Sequence, residues 1–177
     1  MSRLTSSLQR RHPLKQSQPE AVMPRPFDPA DKLAVRKAAL QYMSRRDYCS
    51  YELGAKLKRR GFDADTTDTV IASLEDEGIL DAYRYIENFM SYQADRGNGP
   101  VRISSRLRML GFSTEDIERS IETGRDWVAD ARQVCRKKFG PVLSRMHTER
   151  VRQARFLQYR GFTSAQISQA LDVNMDN

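Results

Sequence analysis

A chain of 177 residues, 39% hydrophobic and 30% charged, holds one ordinary domain or a few small repeated modules, on the polar side of the globular range. No apolar run approaches the roughly 20 residues that cross a bilayer. The basic N-terminus lacks the apolar stretch of a secretory signal, so a cytoplasmic chain with no membrane partner is expected. The net charge of +7 gathers at the ends: residues 1–30 carry five basic and two acidic groups, and residues 125–177 carry ten and five. Between them, residues 31–80 balance at nine and nine, and residues 81–124 carry six and seven. Positive ends suit a polyanion such as nucleic acid, although a solubilising surface accounts for +7 almost as well.

Residues 1–30, rich in Ser, Gln, Pro and Arg, read as a disordered basic tail. Most of the seven prolines fall there, and the remainder is nearly free of helix breakers, which predicts an all-α chain. A first helix is expected over residues 33–45, with Leu33, Val35, Ala38, Ala39, Tyr42 and Met43 as its apolar positions. The string KLKRRGF follows, ending in Leu57, Gly61 and Phe62; it returns as RLRMLGF (Leu107, Gly111, Phe112) and as FLQYRGF (Leu157, Gly161, Phe162), fifty residues apart each time.

Leucine marks the buried stripe of a short helix. Glycine ends that helix in the left-handed conformation, and phenylalanine folds back onto the last turn. Burying that ring contributes about 1.5–3 kcal/mol. A further helix follows each Gly-Phe. Ser113 and Thr114 start one that carries Ile117 and Ile121, and Thr163 and Ser164 start one that carries Ile167 and Leu171. In the first copy the stripe reads as displaced to Val70, Ile71 and Leu74 behind a longer lead-in. Leading helices are expected over residues 81–96, with Tyr83, Tyr85, Ile86, Phe89 and Met90, and over residues 125–139, with Trp127, Ala131, Val134 and Cys135. The period therefore predicts three tandem three-helix repeats, at residues 31–80, 81–124 and 125–177, forming an elongated, curved solenoid-like array.

Charge segregates within the repeat. Lys56, Lys58, Arg59 and Arg60 mark the first middle helix, Arg102, Arg106 and Arg108 the second, and five arginines between residues 145 and 160 the third. The following helices are acidic in two copies, with Asp63, Asp65, Asp68, Glu75, Asp76 and Glu77, then Glu115, Asp116, Glu118 and Glu122. A basic binding ridge and a merely solvated helix face explain this equally well. Phosphates would repel the acidic helices, which disfavours a groove-reading helix-turn-helix.

Catalytic motifs are missing. Arg96-Gly97-Asn98-Gly99-Pro100 lacks the Lys-Ser/Thr of a phosphate loop and reads as a turn that sets Pro100 at a helix start. His12 and His147 stand without ligand partners, so no metal or cofactor is expected. Glu75, Asp76 and Glu77 read as a solvated acidic patch, and Cys49 and Cys135 as buried structural cysteines. Trp127 and the tyrosines read as core rather than as stacking platforms. No catalytic or cofactor-binding residue is assigned, and an enzyme is not expected.

Arg46-Asp47-Tyr48 leading to Glu52-Leu53 and Lys56-Leu57 resembles the opening motif of the RecX family, regulators of the RecA recombinase. Gly78-Ile79-Leu80-Asp81 with Arg84-Tyr85, and Gly97-x-Gly99-Pro100-x-Arg102-Ile103, are similar to its central blocks. Arg155-Phe156-Leu157-x-x-Arg160-Gly161-Phe162 looks like its C-terminal signature. Cys49 stands where the family usually has a helix-capping serine, with Ser50 as the substitute cap, and Ala82 replaces a usual acid.

The resemblance implies a monomeric, usually inhibitory modulator that lies in the groove of RecA–single-stranded-DNA filaments and limits filament growth, ATP hydrolysis, strand exchange and coprotease activity. The residues expected to contact filament or DNA are Arg45, Arg46, Lys58, Arg59, Arg102, Arg106, Arg108, Arg152 and Arg155. Two other classes stay open: a non-specific DNA-binding helical-repeat protein, with steep salt dependence, and a peptide-binding helical scaffold.

Overall fold

The computed structural model describes residues 28–141 and 146–172; the expected tail falls almost wholly outside them. Among these residues all regular structure is helical. Helices α1 (Lys32–Met43), α2 (Ser50–Arg59) and α3 (Ala64–Asp76) pack on one another. So do α4 (Ala82–Asp95), α5 (Pro100–Met109) and α6 (Thr114–Gly124), and then α7 (Trp127–Phe139), α8 (His147–Arg160) and α9 (Ser164–Leu171). The all-α class and the tandem triplets are those the fifty-residue period predicts. No helix among the described residues is long and apolar enough to cross a membrane.

Short polar side chains start most of these helices. Asp31, Asp63, Asp81, Ser113, Asp126 and Thr163 each accept hydrogen bonds from backbone N–H groups of the first turn, each cap contributing about 1 kcal/mol. The middle helices α2, α5 and α8 differ, having no side-chain cap bond. In α2, Cys49 stands at the cap position. Ser50 does not substitute, because its hydroxyl donates to Glu75 on α3.

Each middle helix ends in the same way. Gly61, Gly111 and Gly161 have φ of 99°, 86° and 92°. The N–H groups of Phe62, Phe112 and Phe162 donate back to the carbonyls of Leu57, Leu107 and Leu157 at 3.3, 3.2 and 3.1 Å. The glycine N–H groups donate to Lys58, Arg108 and Gln158, completing the Schellman pair of bonds. Leu57, Leu107 and Leu157 are fully buried beneath these turns.

The period holds from cap to cap, which corrects the displaced stripe expected in the first copy. Asp63, Ser113 and Thr163 are equivalent caps. Thr67, buried completely, occupies the position of Ile117 and Ile167, and Val70 and Ile71 match Ser120 and Ile121 and then Ala170 and Leu171. Thr67 hid the register because a polar residue stands at an apolar site. Two more expected core positions, Leu33 and Tyr83, are exposed instead: each lies in the first turn of its helix, on the side away from the helices it packs against.

Buried apolar residues form two clusters. One joins Val35, Leu53, Leu57, Phe62, Leu74 and Leu80 of α1–α3 and the turn after them. The other runs without a break through α4–α9, from Ile86, Ile103 and Ile117 to Trp127, Cys135, Leu157 and Ile167. Hydrogen bonds cross the junction of the first two triplets. Tyr85 donates its hydroxyl to Glu52 at 3.3 Å, and the Asn88 amide donates to Asp47 at 3.0 Å. Burial, with the Glu52 charge adding to it, pushes the Tyr85 phenol well above its usual range. Cys49 and Cys135 are both free and buried, and burial raises both thiols.

Candidate interaction surface

Leu53 and Leu57, Ile103 and Leu107, and Gln153 and Leu157 face inward. Lys58, Arg59 and Arg108, one or two positions past Leu57 and Leu107, and Arg155, two past Gln153, lie on the outside, and all are exposed. The end of α8 runs into the start of α5. Gly99 donates its N–H to the Arg160 carbonyl at 2.8 Å, and Val101 donates to the Gly161 carbonyl at 3.0 Å. Unsatisfied donors at one helix start thus meet unsatisfied acceptors at another helix end. Leu110, just past α5, in turn lines a groove with Arg59 and Arg60 of the first triplet.

The nine basic residues singled out from the sequence fall into two groups. Arg45, Arg59, Arg108 and Arg155 are exposed and make no side-chain bond to the described residues. The others are engaged. Arg46 pairs with Glu52 at 3.0 Å and lies over the Tyr48 ring, 3.6 Å from its centre. Lys58 pairs with Asp68 at 2.7 Å, and Arg152 reaches Glu149 at 3.8 Å. Arg102 donates to the Tyr159 carbonyl at 3.4 Å, and Arg106 donates to the Gln93 side-chain oxygen at 2.8 Å. Arg106 is therefore part of an internal polar network, since Asn98 donates to the same oxygen at 2.8 Å.

Two clusters escaped sequence reasoning. Helix α7 carries Arg132, Arg136, Lys137 and Lys138, and its last turn shares a groove with Arg96 and Arg160. The run Arg136-Lys137-Lys138 is the sequence signal for it, on a leading helix and not a middle one. The second is an aromatic and cationic groove between α1 and α2, lined by Tyr42, Tyr48, Tyr51, Lys56 and Arg60 as well as Arg59. Reading the tyrosines as core misses it: Tyr51, Tyr83, Tyr92 and Tyr159 are all exposed, whereas Trp127 is buried and donates its indole N–H to the Ile121 carbonyl.

The acidic residues serve the fold as much as the surface. Asp63 is a cap, and Glu77 accepts both guanidinium bonds of Arg36 at 2.7 and 2.6 Å, tying α3 to α1. Those bonds, with another from Ser73, hold the Glu77 carboxyl below its ordinary range. The expected solvated patch is thus partly structural. His147 opens α8, and the described residues hold no cluster of His, Cys, Asp and Glu suited to a metal ion.

Comparison with known proteins assigns this architecture. Residues 36–74 match the first three-helix domain of RecX, and residues 126–171 match its third. Regulatory protein RecX of Halorhodospira halophila is 42% identical over 138 residues, covering 77% of this chain and 86% of that protein. The chain belongs to the RecX family. Regulatory protein RecX of Pseudomonas fluorescens is 39% identical over 140 residues, covering 78% of this chain and 90% of that protein. The crystal structure of RecX from Lactobacillus salivarius shares the fold, with a TM-score of 0.69 at 18% identity over 79% of this chain and 94% of that one. A second crystal structure of regulatory protein RecX gives 0.68 at 18% identity, over 81% and 73%. The RecX motifs sit at structural joints here: Gly99-Pro100 at the α8–α5 contact, and Glu52 and Tyr85 at the junction of the first two triplets.

Proposed function

We propose that this chain is a non-enzymatic, monomeric modulator that inhibits the RecA recombinase by lying in the groove of RecA–single-stranded-DNA filaments in the cytoplasm. It acts there on filament growth, ATP hydrolysis, strand exchange and coprotease activity. The observation that carries the reading is membership of a family of regulatory proteins. The basic residues of α2, α5 and α8 support it. With α8 abutting α5, and α5 reaching the α2 groove, these helices follow one another and offer cations in series to a polyanionic filament.

In this reading the repeats at 31–80, 81–124 and 125–177 lie along successive filament positions. Arg45, Arg46, Lys58, Arg59, Arg102, Arg106, Arg108, Arg152 and Arg155 make the contact. Arg59, Arg108 and Arg155 are the informative members, because each is exposed and reversing its charge breaks no internal bond. Co-sedimentation with RecA filaments on single-stranded DNA tests the surface. The wild-type chain is expected to pellet with filaments, and the folded Arg59→Glu/Arg108→Glu/Arg155→Glu variant to stay largely in the supernatant. Equal pelleting of the two would remove this surface from the account.

A further inference from the structure

The groove between α1 and α2 is an open cleft of about 590 Å³, within the range of roughly 300–1,000 Å³ typical of small-ligand clefts. Its cations outnumber its acids. Arg46 is matched by Glu52, the single carboxylate of the lining, and Lys56, Arg59 and Arg60 have no carboxylate partner. Lys56 is half-buried. Its ammonium donates to the Tyr48 hydroxyl at 2.9 Å and lies 4.6 Å from the centre of the Tyr42 ring. That bond pulls the Tyr48 phenol below its usual range. A half-buried ammonium held only by aromatic faces and a neutral hydroxyl is an incomplete ion pair, and an incoming anion completes it.

Tyr51 stands beside these cations. It is 64% exposed and makes no hydrogen bond, ring contact or cation contact with the described residues. The fold does not require this set. Fifty residues on, the equivalents of Tyr48, Tyr51, Lys56 and Arg59 are Asn98, Val101, Arg106 and Met109, and fifty further they are Thr148, Val151, Phe156 and Tyr159. The same repeat forms without them, so their combination belongs to the first repeat alone.

We propose that this groove is a subsite for one nucleotide of single-stranded nucleic acid, the base stacking on Tyr51 and the adjoining phosphate held by Lys56, Arg59 and Arg60. An exposed ring next to a cluster of cations is the arrangement that binds unpaired bases irrespective of sequence. Bases in a duplex are stacked within the helix and cannot reach the ring. The inference deepens the preceding reading by giving its DNA contact a place, yet its test uses no recombinase.

The experiment is fluorescence anisotropy of a labelled oligothymidylate titrated with the full chain, followed by competition with unlabelled thymidine monophosphate, a duplex of equal length and polyglutamate. Tyr51→Ala is expected to weaken oligothymidylate binding roughly 5- to 100-fold, and Tyr51→Phe to keep wild-type affinity. Arg59→Gln is expected to lower the salt dependence by about 0.7 in log–log slope. Duplex binding should not respond to Tyr51→Ala.

Unchanged oligothymidylate affinity in folded Tyr51→Ala overturns the subsite. Equal sensitivity of the duplex overturns the stacking role. Monophosphate competing as well as the oligonucleotide assigns the groove to a free nucleotide, and polyglutamate doing so assigns it to an acidic peptide; either overturns the strand assignment. Failure of the wild-type chain to bind oligothymidylate also overturns the subsite, and leaves the preceding reading, which is tested on recombinase filaments, in place.

Discussion

Gly99 and Gly161 meet backbone to backbone: a Cβ on Gly99 would lie 2.4 Å from the Gly161 carbonyl carbon and oxygen. A Cβ on Gly161 would in turn lie 2.5 Å from that of Arg102. The contact seats α8 against α5 and joins the second and third triplets through paired backbone groups. Gly99→Ala is therefore expected to destabilise the chain by about 1–3 kcal/mol and to speed hydrogen exchange at the Gly99 and Val101 amides. Gly111 is the control. A side chain there meets nothing, so Gly111→Ala costs only the left-handed backbone, about 1–2 kcal/mol, and those two amides stay protected. Equal protection in both variants would show that the two backbones do not touch.

The period also exposes three misfits. Gln153 is 2% exposed at the position of Leu53 and Ile103, and its side-chain oxygen has no hydrogen-bond partner. Thr67 and Ser120 are likewise buried with unpartnered hydroxyls, opposite isoleucines in one case and Val70 and Ala170 in the other. An unsatisfied buried group costs about 1–3 kcal/mol. Gln153→Leu is expected to raise the unfolding free energy by an amount in that range, read as a higher urea midpoint with the slope unchanged. A lower midpoint would mean that the glutamine is paired in the folded chain.

Much of the fold was legible because the period is written in residues with local backbone duties. Leu57, Gly61 and Phe62 specify a buried turn, a left-handed stop and a returning ring wherever they occur. Thr67 defeated the register of α3 because burial there overrides polarity. The α8–α5 joint was illegible for another reason: Gly99 and Gly161 are each visible, but nothing local links residues 62 positions apart. In the candidate surface, charge located Arg59, Arg108 and Arg155, yet could not show that Arg106 is spent on Gln93. Tyr51 was missed because an aromatic at helical spacing is usually core.

Acid should loosen the first triplet, in part through the Arg36–Glu77 pair. Arg36 holds the Glu77 carboxyl below its ordinary range, so the stabilisation is complete above the usual glutamate value of about 4.3 and is lost as pH falls through the lower folded value. Glu77→Gln lacks it at every pH. The difference in Tm between wild type and Glu77→Gln should be widest near neutrality and close in acid. A difference that stays constant through the acid range would contradict the assignment.

Helix α2, like its equivalents α5 and α8, has no side-chain cap bond. Cys49→Ser puts a hydroxyl, a stronger acceptor than the thiol, at that cap position, and is expected to stabilise the chain by about 1 kcal/mol. Because the α1–α3 core is separate from that of α4–α9, the gain should appear as slower hydrogen exchange in α1–α3 alone. A uniform change across all helices would show that the two cores unfold as one.

In the proposed function this RecX-family chain restrains a recombinase filament through a surface built on its middle helices. The most direct measurement is RecA ATP hydrolysis on single-stranded DNA with this chain added at stoichiometric levels. Hydrolysis is expected to fall with the wild-type chain and to be substantially restored with the folded Arg59→Glu/Arg108→Glu/Arg155→Glu variant. Hydrolysis left untouched by the wild-type chain would contradict that function.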